Sequence, residues 1–564
     1  MFSADSSVVI TYNGEIYNDD DLANKLARET GFSRRTSCDA EIIPAAYLAW
    51  GEDAFARFEG MFAIALWDRE KRKLLLARDG IGIKPLHYFS DDRFVCFASE
   101  IKALLANPMI PRRLSAPDVA HMLGSGYTAP NRTLLENVRQ VDPGSVVSID
   151  RTGVRQRRYW QPARRGEIKD LGLASKRLVS TLREVVEDQL VSDVPVGVLQ
   201  SGGVDSSLVS LSLPASHEVP LFSVRFSERS HDESELVNEI ASLSKRKITW
   251  VDLPQGGDAE SSFRQVVRAV DGQLADSSAL AALKLAEVTS DHVKVALSGD
   301  GGDEFFGGYP TYRATQIASP LQRLLPRAAW GALARSARLI ARPSDTRIPA
   351  SEQTYRFLYG LSQEVPHVAW RHYLPRDLQQ HLYGPDLRDL VGADPLSLYS
   401  APFREDSGDL IDRALLADQK YYLPADMLTK VDRVSMACGL EVRVPLLDRR
   451  IMELAGELDQ ALLFDKKGST KIVLREALRA LGAGKNITEG RKRGFNVPMN
   501  KLLRTDLLPM ARMYLERNAE IFLPFLSPDG VRSLWKSHCS RKRDEKYLVW
   551  TLLTLAVWRD STGI

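Results

Sequence analysis

Ser201-Gly202-Gly203-Val204-Asp205-Ser206-Ser207, directly after the apolar run Val194-Pro195-Val196-Gly197-Val198-Leu199, decides the fold of this chain. Its two glycines let the backbone approach an anion closely, and its three serines can donate to the anion's oxygens. Leu208-Val209 then opens a helix, whose N-terminus favours negative charge. Strand, glycine turn and helix in that order read as a pyrophosphate-binding turn. The run lacks the Gly-Lys-Ser/Thr ending of a Walker A loop and the spaced glycines of a dinucleotide fingerprint. The chemistry it suits is ATP split between its α and β phosphates.

A second turn repeats the arrangement. Val295-Ala296-Leu297 runs into Ser298-Gly299-Asp300-Gly301-Gly302-Asp303-Glu304, again a strand ending in glycines, now loaded with carboxylates. Asp205 and Asp303 together can hold Mg²⁺ on the phosphates, because that ion takes one or two protein carboxylates and fills its shell with phosphate oxygens and water. One acidic, glycine-rich turn reads as a surface loop. Two, each after a parallel-type strand, read as one site.

Around these turns the chain divides near residue 150. Before it lie strand signals at 8–12, 61–67, 73–78, 94–98 and 144–149, with a helical pattern over 19–30, as expected of an α+β layer domain. From about 171 helices and strands alternate: a long helix through Val191, the strand before the first turn, Leu221-Phe222-Ser223-Val224-Arg225-Phe226, and Val293-Lys294-Val295-Ala296-Leu297. Alternation with short apolar strands predicts a doubly wound parallel α/β sheet, with ligands at the strands' carboxyl ends. From about 320 the chain reads as mostly helical.

Composition narrows the partners. Lys plus Arg number 75 against 73 Asp plus Glu, so no global field points to nucleic acid or to a membrane, and small-molecule substrates are expected. Cys38, Cys96, Cys438 and Cys539 lack metal-ligand spacing and suit a reducing, cytoplasmic setting. No secretory signal is visible, and the apolar stretch 548–558 is shorter than the ~20 residues of a membrane span, so it reads as a core helix.

The motifs carry a resemblance. SGGVDSS at 201–207, SGDGGDEFFGGY at 298–309 and LTKVDRVSMACGLEVRVPLLD at 428–448 resemble the synthetase domain of glutamine-dependent asparagine synthetases. YNGEIYN at 12–18 and ARDGIGIKPLHY at 77–88 resemble the glutaminase domain of the same enzymes, and the likeness extends from about residue 8 to about residue 558. It implies an Ntn-hydrolase-like αββα sandwich over 1–150, lacking its first strands, then a PP-loop ATP-pyrophosphatase domain over 171–560. It also implies ATP and Mg²⁺, glutamine hydrolysis to glutamate and ammonia, an internal ammonia tunnel, and adenylation of the aspartate β-carboxylate to yield asparagine, AMP and pyrophosphate. A homodimer is one option for assembly. Relatives of this architecture include amidotransferases acting on cell-surface sugars or peptides, β-lactam synthetases and lasso-peptide cyclases, so the acceptor stays open.

Residue by residue, the resemblance places Leu199, Ser201, Gly202, Gly203, Asp205, Ser206, Ser207, Val224, Ser298 and Gly299 at the nucleotide, and Asp205 and Asp303 at the metal. Lys471, read as lying in a helix with Arg475 one turn later, falls near the activated acyl group, and Asp300 handles ammonia protons. Arg491, Lys492 and Arg493 read equally well as a surface charge run. Asn13 and Gly14 match an oxyanion-hole pair, Glu15 a substrate contact, and Asp39 the carboxylate that receives the glutamine α-amine.

One departure is consequential. Glutaminases of this type use a cysteine at the mature N-terminus, whose α-amine serves as base, whereas removing Met1 here exposes Phe2. Cys38 and Cys96 cannot supply a free α-amine. A segment on the order of sixty residues would complete an ordinary domain of this kind. The intact polar set around the absent nucleophile favours a true start upstream of Met1 over a real loss. No glutaminase turnover is expected of the polypeptide as written, and an exposed apolar sheet face is expected beside the missing strands.

Overall fold

Continuous apolar sequence in the first part buries both faces of the central strands of one sheet. Strands β1 (Val8–Ile16), β2 (Gly60–Asp68) and β3 (Lys73–Arg78) form it, in the order β1-β2-β3-β7-β8, antiparallel throughout, with β7 (Ser145–Asp150) and β8 (Gly153–Arg158). Phe62, Ile64 and Leu66 of β2 pack on the helices Asp19–Thr30 and Ile42–Trp50. Ala63 and Ala65, alternating with them, meet Leu76, Tyr88 and Val147 on the other face. There a second sheet, in the order β5-β4-β6, is built from β4 (His87–Ser90), β5 (Val95–Ala98) and β6 (Val138–Gln140). Helices, sheet and sheet stack as the α+β reading expected. An open apolar groove lined by Val9, Thr11, Trp67, Leu74, Val95 and Phe97 lies beside the strands.

The structure, a computed structural model, describes residues 1–225, 233–252, 259–340, 349–405, 408–465, 468–490 and 497–564. Phe226, Arg491, Lys492, Arg493, Gly494 and Phe495 therefore lie outside the described residues. The second part holds a five-stranded, wholly parallel sheet in the order β11-β10-β9-β12-β13, from β9 (Val196–Leu199), β10 (Leu221–Arg225), β11 (Ile248–Asp252), β12 (Val295–Leu297) and β13 (Glu441–Arg443). The chain builds outward from β9 to β11, then returns to β9's other side for β12 and β13. The order thus reverses between β9 and β12, which creates a crevice at their carboxyl ends. Helices cover this sheet and make up most of the chain beyond it. The helix Lys546–Thr562 is buried along 548–558, as expected of a core helix, and no helix among the described residues is long and apolar enough to cross a membrane.

Differences from the sequence reading have local causes. The helix after the first turn starts at Val204, not Leu208, so Asp205 and Ser206 sit in its first turn. The first sheet continues past residue 150 through β8, whose Gly153-Val154-Arg155-Gln156-Arg157-Arg158 is exposed throughout and carries no apolar alternation. As an edge strand it needs none, and its arginines guard against pairing with other chains.

The two parts meet through buried charge. Fully buried Arg78 donates to the carbonyls of Lys84 (2.8 Å), Gly82 (2.8 Å) and Val141 (3.0 Å), while Asp79 accepts from the amides of Gly82 (2.7 Å), Ile83 (2.9 Å) and Lys84 (2.9 Å). This folded loop holds out Lys84, which pairs with Asp432 at 3.0 Å, both side chains buried. Arg433 next to it reaches Asp271 (2.5 Å) and the carbonyl of Ser99 (2.9 Å).

Candidate active site

Because the crevice opens between β9 and β12, the turns that follow these strands face each other. Their glycines let them interlock. A Cβ on Gly299 would lie 2.5 Å from the amide nitrogen of Ser206, and one on Gly302 would lie 2.4 Å from Asp205 Oδ1. The first turn is tied internally by Ser201 Oγ and Ser206 Oγ (2.9 Å) and by the Gly203 amide donating to Ser201 Oγ (3.2 Å). Gln200, buried behind it, donates to Ser206 Oγ (3.2 Å) and Ser207 Oγ (3.4 Å), and the Gly202 amide donates to Glu233 (3.0 Å). In the second turn Ser298 Oγ donates to Asp300 (2.7 Å), and the Ser298 amide donates to the carbonyl of Arg443 in β13 (2.9 Å). Leu199 and Val224 stand half-buried at the carboxyl ends of neighbouring strands β9 and β10.

Lys471 joins the turns. Its Nζ meets Asp303 Oδ1 at 2.6 Å and forms a short ion pair with Asp205 Oδ2. Burial disfavours the ammonium, but the Asp205 and Asp303 carboxylates outweigh it and hold its pKa above the ordinary value. One part of the sequence reading changes here. Lys471 caps the helix Ile472–Ala480 from outside, at a left-handed φ of 55°, rather than lying within it, and its side chain is buried. That turn aims the side chain back across the crevice. Gly308 makes room: a Cβ there would lie 1.8 Å from Asp303 Oδ1 and 2.1 Å from Lys471 Cε.

A buried polar set that the sequence reading did not single out backs this cluster. Lys430 Nζ donates to Asp276 (2.7 Å) and Ser278 Oγ (2.9 Å). Asp426, in the same stretch, is pushed up to about 7 by burial and by the neighbouring Asp276 carboxylate. Tyr309 donates to Glu304 (2.6 Å), and Gln419 to the carbonyl of Glu304 (3.1 Å). The available signal was the pair of charges Lys430 and Asp432 inside the motif at 428–448. Asp276 lies too far away in sequence to be paired with them by pattern.

The four glutamine-site candidates sit on or against β1. Asn13 Nδ2 donates to Ser99 Oγ (3.3 Å), while Asp39 accepts from Tyr12 OH (2.5 Å) and from the Ile16 amide (2.9 Å). Asn13-Gly14 is not a turn but lies mid-strand, paired with Ala63 and Phe62 of β2. Gly14 has φ 148°, and a Cβ there would lie 2.0 Å from the Met61 carbonyl oxygen, so close strand pairing alone demands glycine. Glu15 reaches Arg443 of β13 at 3.4 Å.

Burial, then the nearby Asp39 carboxylate, raises the Glu15 pKa to about 7. A carboxyl raised above its unfolded value binds more protons in the folded state, so stability falls as pH rises from about 4.5 to about 7 and levels off above. Glu15→Gln removes that penalty. Its melting temperature should therefore exceed the parent's by more at pH 8 than at pH 5, as read by differential scanning fluorimetry. Between this region and the crevice lies a cavity lined by Arg78, His87, Gln273, Leu428, Asp432 and Arg433. Burial, then Arg433, keeps His87 well below the usual histidine range and so neutral.

The family model described as asparagine synthase matches residues 177–560, and that described as a glutamine amidotransferase domain matches residues 1–160. Asparagine synthetase [glutamine-hydrolyzing] 1 of Bacillus subtilis is 28% identical over 571 residues, covering 98% of this chain and 85% of its own length. Asparagine synthetase [glutamine-hydrolyzing] 3 of the same organism is 26% identical, covering 84% of this chain and 73% of its own length. Amidase chyE of Penicillium rubens is 27% identical, covering 84% and 75%. With its paired glycine turns inside the stretch that the synthase model matches, this chain belongs to the asparagine synthase family of amidotransferase ligases.

Proposed function

We propose that this chain adenylates the side-chain carboxylate of aspartate with ATP and passes ammonia to the acyl adenylate, giving asparagine, AMP and pyrophosphate. The observation that carries the reading is the convergence of Lys471 on Asp205 and Asp303 at the strand-order reversal. In this reading residues 171–560 form the synthetase, and residues 1–150 hold glutamine through Asn13, Gly14, Glu15 and Asp39; without an N-terminal cysteine the polypeptide as written takes its ammonia from solution.

A carboxylate is a poor electrophile until one oxygen belongs to a good leaving group. A substrate carboxylate oxygen attacks the α-phosphorus, the bond to the bridging oxygen breaks, and pyrophosphate departs onto Ser201, Gly202, Gly203, Ser206 and Ser207 and the adjoining helix N-terminus. Leu199, Val224, Ser298 and Gly299 hold the rest of the nucleotide. Lys471 offsets the negative charge that gathers around the reacting phosphate and acyl groups. Ammonia then attacks the acyl carbon, its nitrogen loses a proton to Asp300, and AMP leaves. Two carboxylates converging on one cation are a donor set that suits Mg²⁺ with phosphate oxygens and water, so Asp205 and Asp303 would hold that ion. When bound it would neutralise charge on the leaving pyrophosphate.

A carboxylate other than that of aspartate, such as one on a sugar or peptide, is the second reading, favoured by the near-equal identity to asparagine synthetases (28%) and to an amidase (27%). Pyrophosphate release with ammonium, ATP and a panel of carboxylates separates the two. Aspartate-dependent release is expected. Release with a peptide or uronic-acid acceptor and none with aspartate would replace the first reading by the second.

A further inference from the structure

The near balance of charge over the whole chain hides a local segregation. Between Glu304 and Asp345 the sequence carries no acidic residue, while 310–340 holds Arg313, Arg323, Arg327, Arg335 and Arg338. This stretch folds as the helices Pro310–Gln322 and Arg327–Ile340, joined by an exposed turn. On the inner side Ala318 and Trp330 pack with Leu361. Arg338 is also drawn inward, to Asp377 (2.8 Å) and Glu545 (3.0 Å).

The outer side is different. Leu324 is 70% exposed, in the turn before the second helix, and Leu339 85%, near that helix's end, with Ile317, Leu325 and Leu333 also exposed. Among the described residues no carboxylate pairs with Arg323, Arg327 or Arg335, which interleave with those leucines. A helix fixed to the protein by one side and showing leucines and unpaired arginines on the other has the pattern of an element lying in the plane of a membrane interface. Five exposed aliphatic side chains, Ile317, Leu324, Leu325, Leu333 and Leu339, share this stretch with arginines and with no acidic residue. A bilayer suits that combination, since acyl chains accept the leucines while lipid phosphates meet the guanidiniums.

We infer that the outer side of the helices Pro310–Gln322 and Arg327–Ile340 docks this protein on the surface of an anionic lipid bilayer, peripherally and reversibly. The occupant is the lipid surface itself. The first helix starts at Pro310, two residues after the Gly308 that packs on Asp303 and Lys471, so the docking face is joined directly to the crevice. The inference does not depend on which acceptor is used.

Flotation of the intact protein with vesicles tests it. With phosphatidylcholine vesicles containing about 30% phosphatidylglycerol at low salt, the protein should float, and at about 500 mM salt it should not. With phosphatidylcholine alone it should stay at the bottom. Leu324→Glu combined with Leu339→Glu should cut the bound fraction at least about tenfold, and each of Arg323→Gln, Arg327→Gln and Arg335→Gln by roughly fivefold. Pyrophosphate release in solution should be unchanged in all of them. Failure to float with the anionic vesicles would overturn the inference, as would flotation that the leucine substitutions leave intact. So would sedimentation showing a dimer that those substitutions dissociate, because a second copy would then cover this face.

Discussion

Replacing Lys471 with alanine is expected to lower pyrophosphate release by at least about 10²–10³-fold, the usual cost of removing one preorganised charge from a site where charge develops. The residue touches both carboxylates of the crevice, so its loss acts twice. The site loses the cation beside the reacting phosphate and acyl groups, and Asp205 and Asp303 are left facing each other. Like charges at close quarters favour protonation of one partner. The variant should therefore lose more thermal stability at pH 8 than at pH 5. Lys471→Arg should not restore turnover, because the lysine stem already fills the space that Gly308 leaves open and a planar fork is wider. Steady-state pyrophosphate assays and melting curves at the two pH values check both statements; wild-type turnover in the alanine variant would remove Lys471 from the mechanism.

Lys84→Met is expected to carry the largest stability cost, roughly 3–5 kcal/mol, because it leaves the buried Asp432 carboxylate without its cation. Burial alone would lower the Lys84 pKa, yet Asp432 and Glu441 outweigh it and hold the ammonium above its ordinary value. The pair joins the loop around Arg78 and Asp79 to the helix Leu428–Met436, so the loss should appear first as separation of the two parts. Limited proteolysis should accelerate between residues 150 and 171. The double variant Lys84→Met with Asp432→Leu should recover most of the loss, since two well-packed apolar groups avoid the desolvation that the ions incur. If the double variant is as unstable as the single one, the bonds from Arg433 to Asp271 and Ser99 hold the interface instead.

The fold was legible where burial imposes a pattern. Strands β2 and β3 read as continuous apolar runs because one face meets helices and the other meets a sheet, and both glycine turns were placed after their strands because glycine spacing is local, although the first gives way to helix four residues early. Strand β13 is three residues long and carries no pattern of its own; it is a strand because β12 lies beside it. The site was legible only in part. Asp205 and Asp303 announce themselves by their glycines, whereas the left-handed φ of Lys471 and its approach to both are set by tertiary closure. Lys430 and Asp276 are 154 residues apart, beyond any local rule.

Asp205 is made 266 residues before the lysine that neutralises it. At ordinary rates of translation that interval lasts roughly 15–50 s. Throughout it the first glycine turn exists without the cation that binds it to the second. A growing chain cannot close the crevice until Lys471 has left the ribosome. Placing the closing charge late in the sequence makes the closed crevice a property of a chain more than four-fifths made.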